Sequence, residues 1–145
     1  MDRQRLSVCF ADLTNWVRLV EAAGDEGAVA LLQEIFQETG DSIVQYDGRI
    51  RKYIGDAVLF TFTDPRQAIA AAHEIAAQRR EAYGLELRRR VGVATGDVLV
   101  VSLGHPSLVL EDIMGATVNR AALLIRDAGR SELGVALCEE TQKYA

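Results

Sequence analysis

A chain of 145 residues is long enough for one domain that buries roughly two-thirds of its unfolded surface. With 49% hydrophobic and 26% charged residues it is too apolar to be disordered, and a net charge of −5 gives no reason to expect a nucleic-acid partner. There is no apolar run of about 18 residues, and Met1-Asp2-Arg3-Gln4-Arg5 leads into a strand and not into a signal-peptide core, so a cytoplasmic chain with no membrane segment is expected.

Leu6 to Leu13 reads as a buried strand. Two helical stretches follow, Thr14 to Ala23 and Glu26 to about Gln45, the second with Val29, Leu32, Ile35, Phe36 and Ile43 at helical spacing, and Gly24-Asp25 separates them. Asp47-Gly48 opens a hairpin of strands Arg49 to Tyr53 and Ala57 to Thr63, joined through Gly55-Asp56. Asp64-Pro65 starts a helix, and the Ala-rich run to about Tyr83 carries Ile69, Ala72 and Ile75 on one face. Strands Arg89 to Thr95 and Asp97 to Ser102 are expected to meet at Thr95-Gly96-Asp97. A loop from Gly104 to about Asp112 then leads to a helix from Ala116 to Asp127, and Gly134 to Cys138 closes as a strand. This order suits an α+β fold, an antiparallel-centred sheet with helices on one face, formed by a single domain over residues 1–145. Arg79-Arg80 and Arg88-Arg89-Arg90 read as a solvated helix end and the start of a strand. Cys9 and Cys138 lie in apolar runs, as buried free thiols do. With two Cys and two His far apart, a zinc site is not expected.

Two carboxylates stand out, because Asp12 and Asp56 each sit where an apolar strand breaks into a polar turn. An ionised Asp among apolar neighbours costs several kcal/mol unless a positive group compensates it, and one divalent cation compensates two. Mg²⁺ is held in this way, by one or two carboxylates with backbone oxygen, water and substrate phosphates. The competing reading makes Asp12 the cap of the following helix and Asp56 an ordinary Gly-Asp turn residue.

Taken in order, Val8-Cys9-Phe10-Ala11-Asp12-Leu13, Gly48 to Ala57, Val91-Gly92-Val93-Ala94-Thr95-Gly96-Asp97-Val98 and Gly115-Ala116-Thr117-Val118-Asn119-Arg120-Ala121 resemble the class III nucleotidyl cyclase catalytic domain over nearly the whole chain. The resemblance implies a ferredoxin-like sheet with extra strands. It also implies that Asp12 and Asp56, with the carbonyl of Leu13, hold two Mg²⁺ or Mn²⁺ ions, and that ATP is converted to 3′,5′-cyclic AMP and pyrophosphate in the service of signal transduction. Thr14, Asn15 and Trp16 open a helix whose unpaired N–H groups point outward and suit β- and γ-phosphates. Lys52 and Asp112 match the purine-reading positions, where a Lys donating to N1 and an Asp accepting from the exocyclic amine fit adenine and mismatch guanine. Asn119 matches the ribose-orienting residue, with helix capping as the alternative. In the family the metal-binding Asps come from one subunit and the purine- and ribose-binding residues from the other, which implies a homodimer, or a heterodimer with another cyclase domain.

Several positions depart from the family. Asn15-Trp16 replaces the usual Gly-Phe, so a β-carbon enters the phosphate cradle. Leu123 stands where an Arg normally stabilises the transferring phosphate, a loss of about 3–4 kcal/mol of transition-state stabilisation. Arg126, three residues on, shares a helix face with Leu123 and offers a cation in its place, or else serves the helix dipole. Val101 replaces a second Gly of the strand after Thr95-Gly96. Family domains commonly continue past the position of Ala145 through a hairpin with a phosphate-binding Lys. Two function readings follow: an adenylate cyclase of reduced activity, or a degenerate domain that binds nucleotide or a partner subunit with little turnover. A cyclase for another nucleotide is a third.

Overall fold

The computed structural model describes every residue from Met1 to Ala145. Strand β1 (Asp2–Leu13) begins before its buried stretch, because β6 (Arg89–His105) runs antiparallel beside it in unbroken register from Asp2↔Val100 to Leu13↔Arg89. Helix α1 (Trp16–Gln45) follows and is interrupted at Gly24, whose φ of 78° and ψ of 167° are not helical, so the two expected helical stretches are present with a kink between them. The hairpin of β2 (Arg49–Ile54) and β3 (Ala57–Phe62) turns at Gly55-Asp56 as expected. Helix α2 (Pro65–Ala77) is capped by Asp64, whose carboxylate accepts from the Arg66 N–H.

Three expectations are corrected beyond α2. The Ala-rich helix stops at Ala77 and does not reach Tyr83, because β4 (Arg80–Ala82) and β5 (Leu85–Leu87) form a small hairpin. Tyr83 and Gly84 both take positive φ, 54° and 74°, as a two-residue hairpin turn demands. The turn expected at Thr95-Gly96-Asp97 does not exist, since β6 runs straight through it for 17 residues. Gly96 instead makes room for a helix, because a Cβ there would lie 2.6 Å from Thr117 Oγ1. Finally, the loop from Gly104 to Asp112 is largely strand β7 (Leu108–Met114), which folds back on β6 after a turn at Pro106-Ser107. Helix α3 (Ala116–Arg130), β8 (Val135–Leu137), parallel to β6, and the short α4 (Glu139–Gln142) complete the chain.

The main sheet has the order β2-β3-β1-β6-β7 with β8 against β6, a mixed α+β architecture centred on antiparallel pairs. The expected single covered face is corrected. Cys9, Ala11, Phe60, Val91 and Val93 pack against α2 and the end of α1. The alternate residues Leu6, Val8, Leu59, Ala94 and Val98 face Ala121 and Leu124 of α3. Both sides of β1 and β6 are apolar, so helices cover both. A third cluster, Leu13, Leu19, Leu32, Ile35 and Leu87, seats the start of α1 and β5 at the end of β1 where Asp12 lies. The sheet curls until its edge strands meet, Lys52 of β2 reaching Asp112 of β7 at 2.7 Å and Arg49 reaching Glu111 at 3.3 Å. No helix is long and apolar enough to cross a membrane.

Candidate functional site

Asp12 is the penultimate residue of β1 and stands directly opposite Arg90 in the β1–β6 register. It caps no helix. Arg90 donates through Nε to Oδ1 and through Nη2 to Oδ2, both at 2.8 Å, a bidentate pair. That hydrogen bonding raises the Arg90 pKa, burial opposes it, and the charges of Asp12 and Asp56 add to it. Asp56 occupies the β2–β3 turn after Gly55, which takes φ 58°, and its Oδ2 accepts from the Leu13 N–H at 3.1 Å. The two carboxylates therefore flank Leu13 from different strands. No third Asp, Glu, His or Cys joins them in a cage. Two carboxylates and backbone oxygen are hard donors that leave most coordination positions to water and phosphate, which fits Mg²⁺ or Mn²⁺ better than a soft or fully caged metal.

The turn after Asp12 is built differently from the open cradle expected. The Thr14 N–H donates to the Arg88 carbonyl at 2.8 Å, and the Leu13 N–H is already taken by Asp56, so any free donors start at Asn15. Asn15 adopts the left-handed conformation at φ 62°, one that Asn tolerates better than most residues, and its Nδ2 donates to the Glu86 carbonyl at 2.9 Å. The β-carbon that replaces glycine is thus tied to the β4–β5 hairpin. Helix α1 starts at Trp16 with no side-chain cap and no acidic residue in its first turn, which leaves the positive end of its dipole uncompensated.

Lys52 and Asp112, 60 positions apart, form an ion pair at 2.7 Å, and Asp112 Oδ1 also accepts from the Ile113 N–H. Asn119 lies in the first turn of α3 but does not cap it; Gly115 is the N-cap, and Asn119 is exposed. Leu123 is 67% exposed, and Arg126 is exposed as well. Spaced at i, i+4 and i+7, these three share one outward stripe of α3. The crevice that Asp12 and Asp56 share with the buried Ala11, Ile35, Thr39, Val58 and Arg89 holds only about 10 Å³ and lies in the interior between β1 and α1, so it is not itself a nucleotide site. Asp12 and Asp56 are partly buried, whereas the α3 stripe is exposed.

Reading Arg88-Arg89-Arg90 as a solvated strand start missed two structural roles. Arg89 is only 3% exposed; it bonds Gln78 and, at 3.1 Å, Glu38, and burial lowers its pKa while Glu38 opposes that. Arg90 holds Asp12. The signal was the register: pairing Val8 to Ala11 with Val91 to Ala94, which both apolar faces demand, puts Asp12 beside Arg90.

Residues 2–144 match the family described as the adenylate and guanylate cyclase catalytic domain, and the chain belongs to it. Adenylate cyclase 1 of Rhizobium meliloti (strain 1021) is 30% identical over 163 residues, which cover 98% of this chain and 24% of that protein. The chain thus spans about a quarter of the length of that relative. Among solved structures, the adenylyl cyclase CyaB from P. aeruginosa superposes with a TM-score of 0.76 at 26% identity, over 99% of this chain and 82% of that one. The guanylate cyclase domain of RhGC from Catenaria anguillulae, in complex with GTP, shares the fold with a TM-score of 0.84 at 20% identity, over 99% and 84% of the two chains.

Proposed function

We propose that this domain is a metal-dependent adenylate cyclase that converts ATP to 3′,5′-cyclic AMP and pyrophosphate at a site completed by a second cyclase domain. The observation that carries the choice of adenine is the Lys52–Asp112 pair. It offers a donor beside an acceptor, the order that adenine N1 and its exocyclic amine require and that guanine reverses. The relationship to a cyclase named for adenylate adds to this.

Asp12, Asp56 and the Leu13 carbonyl would hold Mg²⁺ or Mn²⁺. When bound, such ions polarise the α-phosphate and lower the pKa of the ribose 3′-hydroxyl. The uncapped start of α1, from Asn15 and Trp16 onward, receives the β- and γ-phosphates, and Thr14 fixes that turn through its bonds to Arg88. Asn119 of the second domain orients the ribose so that its 3′-oxygen attacks the α-phosphorus in line. The hydroxyl proton is lost, a new P–O bond forms, and pyrophosphate leaves with the electrons of the broken bond. Arg126, on the same stripe as Asn119 and Leu123, is the α3 cation assigned here to meet charge on the transferring phosphate.

Leu123 favours a second reading, in which the chain binds nucleotide or pairs with a cyclase subunit that supplies the missing Arg. Incubation with ATP and Mn²⁺ at several protein concentrations, beside an Asp56→Ala control, separates the two. Cyclic AMP that rises more than linearly with protein and disappears in the control supports the cyclase. No product from ATP at any concentration supports the binding role, and product from GTP in preference to ATP overturns the adenine assignment.

A further inference from the structure

Arg90 is the unexpected member of the site. Its guanidinium engages both oxygens of Asp12 at 2.8 Å, so the carboxylate proposed to hold the metal already has a cation of the same chain bound across it. The pair is fixed from three sides. The β1–β6 register places the two residues opposite each other. The Asp12 and Arg90 side chains are only 25% and 32% exposed, which limits the water that could compensate either charge alone. Helix α3 passes over the Arg90 stem at Gly129, where a Cβ would lie 3.1 Å from Arg90 Cδ and 3.4 Å from Nη1. Glycine costs about 1 kcal/mol within a helix, and here it leaves the guanidinium room to lie against Asp12.

We propose that Arg90 is a built-in counter-ion of the metal site, competing with the divalent cation for Asp12, so that metal binding requires the bidentate pair to open. This rests on the assignment of Asp12 as a metal ligand. A guanidinium hydrogen-bonded to a carboxylate and a divalent cation bound to the same oxygens would stand within a few ångströms of each other, and like charges at that separation repel strongly where water is scarce. Arg90 therefore fulfils two roles in turn: it stabilises the carboxylate until a cation arrives, and it sets how tightly that cation is held.

The alternative is a supporting role, in which Arg90 stays in place and orients Asp12 from behind, as outer-shell partners of metal ligands do. The two roles predict opposite signs. Mn²⁺ binding to the full chain, followed by the loss of the free-ion electron paramagnetic resonance signal without nucleotide, would be compared among wild type, Arg90→Gln, Arg90→Lys and Asp12→Asn. Competition predicts tighter binding in Arg90→Gln, by roughly ten- to a hundredfold, the range of a charged hydrogen-bonded pair. Arg90→Lys keeps the charge but loses the fork, so it too should bind more tightly than wild type, though by less. Thermal melts check folding, and Mn²⁺ should raise the melting temperature of Arg90→Gln more than that of wild type. Unchanged or weaker Mn²⁺ binding in both variants overturns the proposal, and so does a gain in Arg90→Gln alone, which is a field effect of the lost charge. Binding indifferent to Asp12→Asn overturns the metal assignment itself, and the counter-ion role with it.

Discussion

A Cβ at position 92 would lie 2.5 Å from the carbonyl oxygen of Ala121 and 2.9 Å from the Leu124 Cβ, so Gly92 is the point where α3 rests directly on β6. Backbone cannot yield as a flexible side chain does, and Gly92→Ala should therefore destabilise the fold by about 1–3 kcal/mol. The check is a lower urea midpoint with an unchanged denaturant slope. Leu123 presents the opposite case, since its 67% exposure means that Leu123→Arg meets no packing constraint and should shift stability by no more than about 0.5 kcal/mol. If position 123 faces the transferring phosphate, that substitution should raise cyclic AMP production about a hundredfold, the scale of one preorganised donor. An unchanged rate would remove the assignment of this stripe to phosphate. Single residues also differed in how legible they were. Asp56 was readable because a Gly-Asp turn between two apolar strands gives it few other places to go. Lys52 and Asp112 were readable only as separate members of motifs; that they touch depends on the curl of a whole sheet.

At the scale of elements, periodicity located what is amphipathic and local and failed where an element is defined by its neighbour. The kink at Gly24, the β2–β3 hairpin and the Asp64 cap all follow from residues within a few positions of one another. The β4–β5 hairpin was hidden because Arg79 to Tyr83 has no alternating pattern to end the Ala-rich helix, and only the paired positive φ angles of Tyr83 and Gly84 define it. Strand β7 was hidden because three of its apolar residues, Leu108, Val109 and Leu110, are exposed and only Ile113 is buried, so no alternating buried face marks it. The C-terminal segment is secured in another way that leaves no periodic trace. Ser7 Oγ and Thr95 Oγ1 share a hydrogen bond at 2.8 Å, Thr95 Oγ1 and Thr141 Oγ1 share another at 2.8 Å, and the Cys138 Sγ lies 3.2 Å from Thr141 Oγ1. All four residues are buried, so Thr141→Val, which keeps the shape and removes the hydroxyl, should cost about 1–3 kcal/mol by leaving the Thr95 hydroxyl one partner short. Hydrogen exchange should then quicken in residues 138–145 ahead of β1. Equal change across the chain would mean that the hydroxyl chain stabilises the fold as a whole and does not anchor its end.

For the molecule as a whole, the arrangement of the site bears on how many chains it needs. Asp12 at the end of β1 and Asp56 in the β2–β3 turn flank Leu13, while Asn119, Leu123 and Arg126 stand on an outward stripe of α3. The proposed function divides these groups between two chains, so that in a two-fold pair each chain would give its metal end to one site and its ribose end to the other. This division can be tested by complementation. On that reading Asp56→Ala removes the metal end, and Asn119→Ala removes the ribose end without disturbing a buried contact. Each homodimer should be inactive. A mixed dimer, co-expressed with two tags and purified through both, contains one site with both defects and one with neither, so it should recover about half of the wild-type rate. The comparison is made in wild type or in Leu123→Arg, whichever turns over measurably. Recovery to that level requires Asp56 and Asn119 of a working site to come from different chains, whereas a mixed dimer as inactive as its parents places both in one chain and leaves the open stripe of α3 without a catalytic partner.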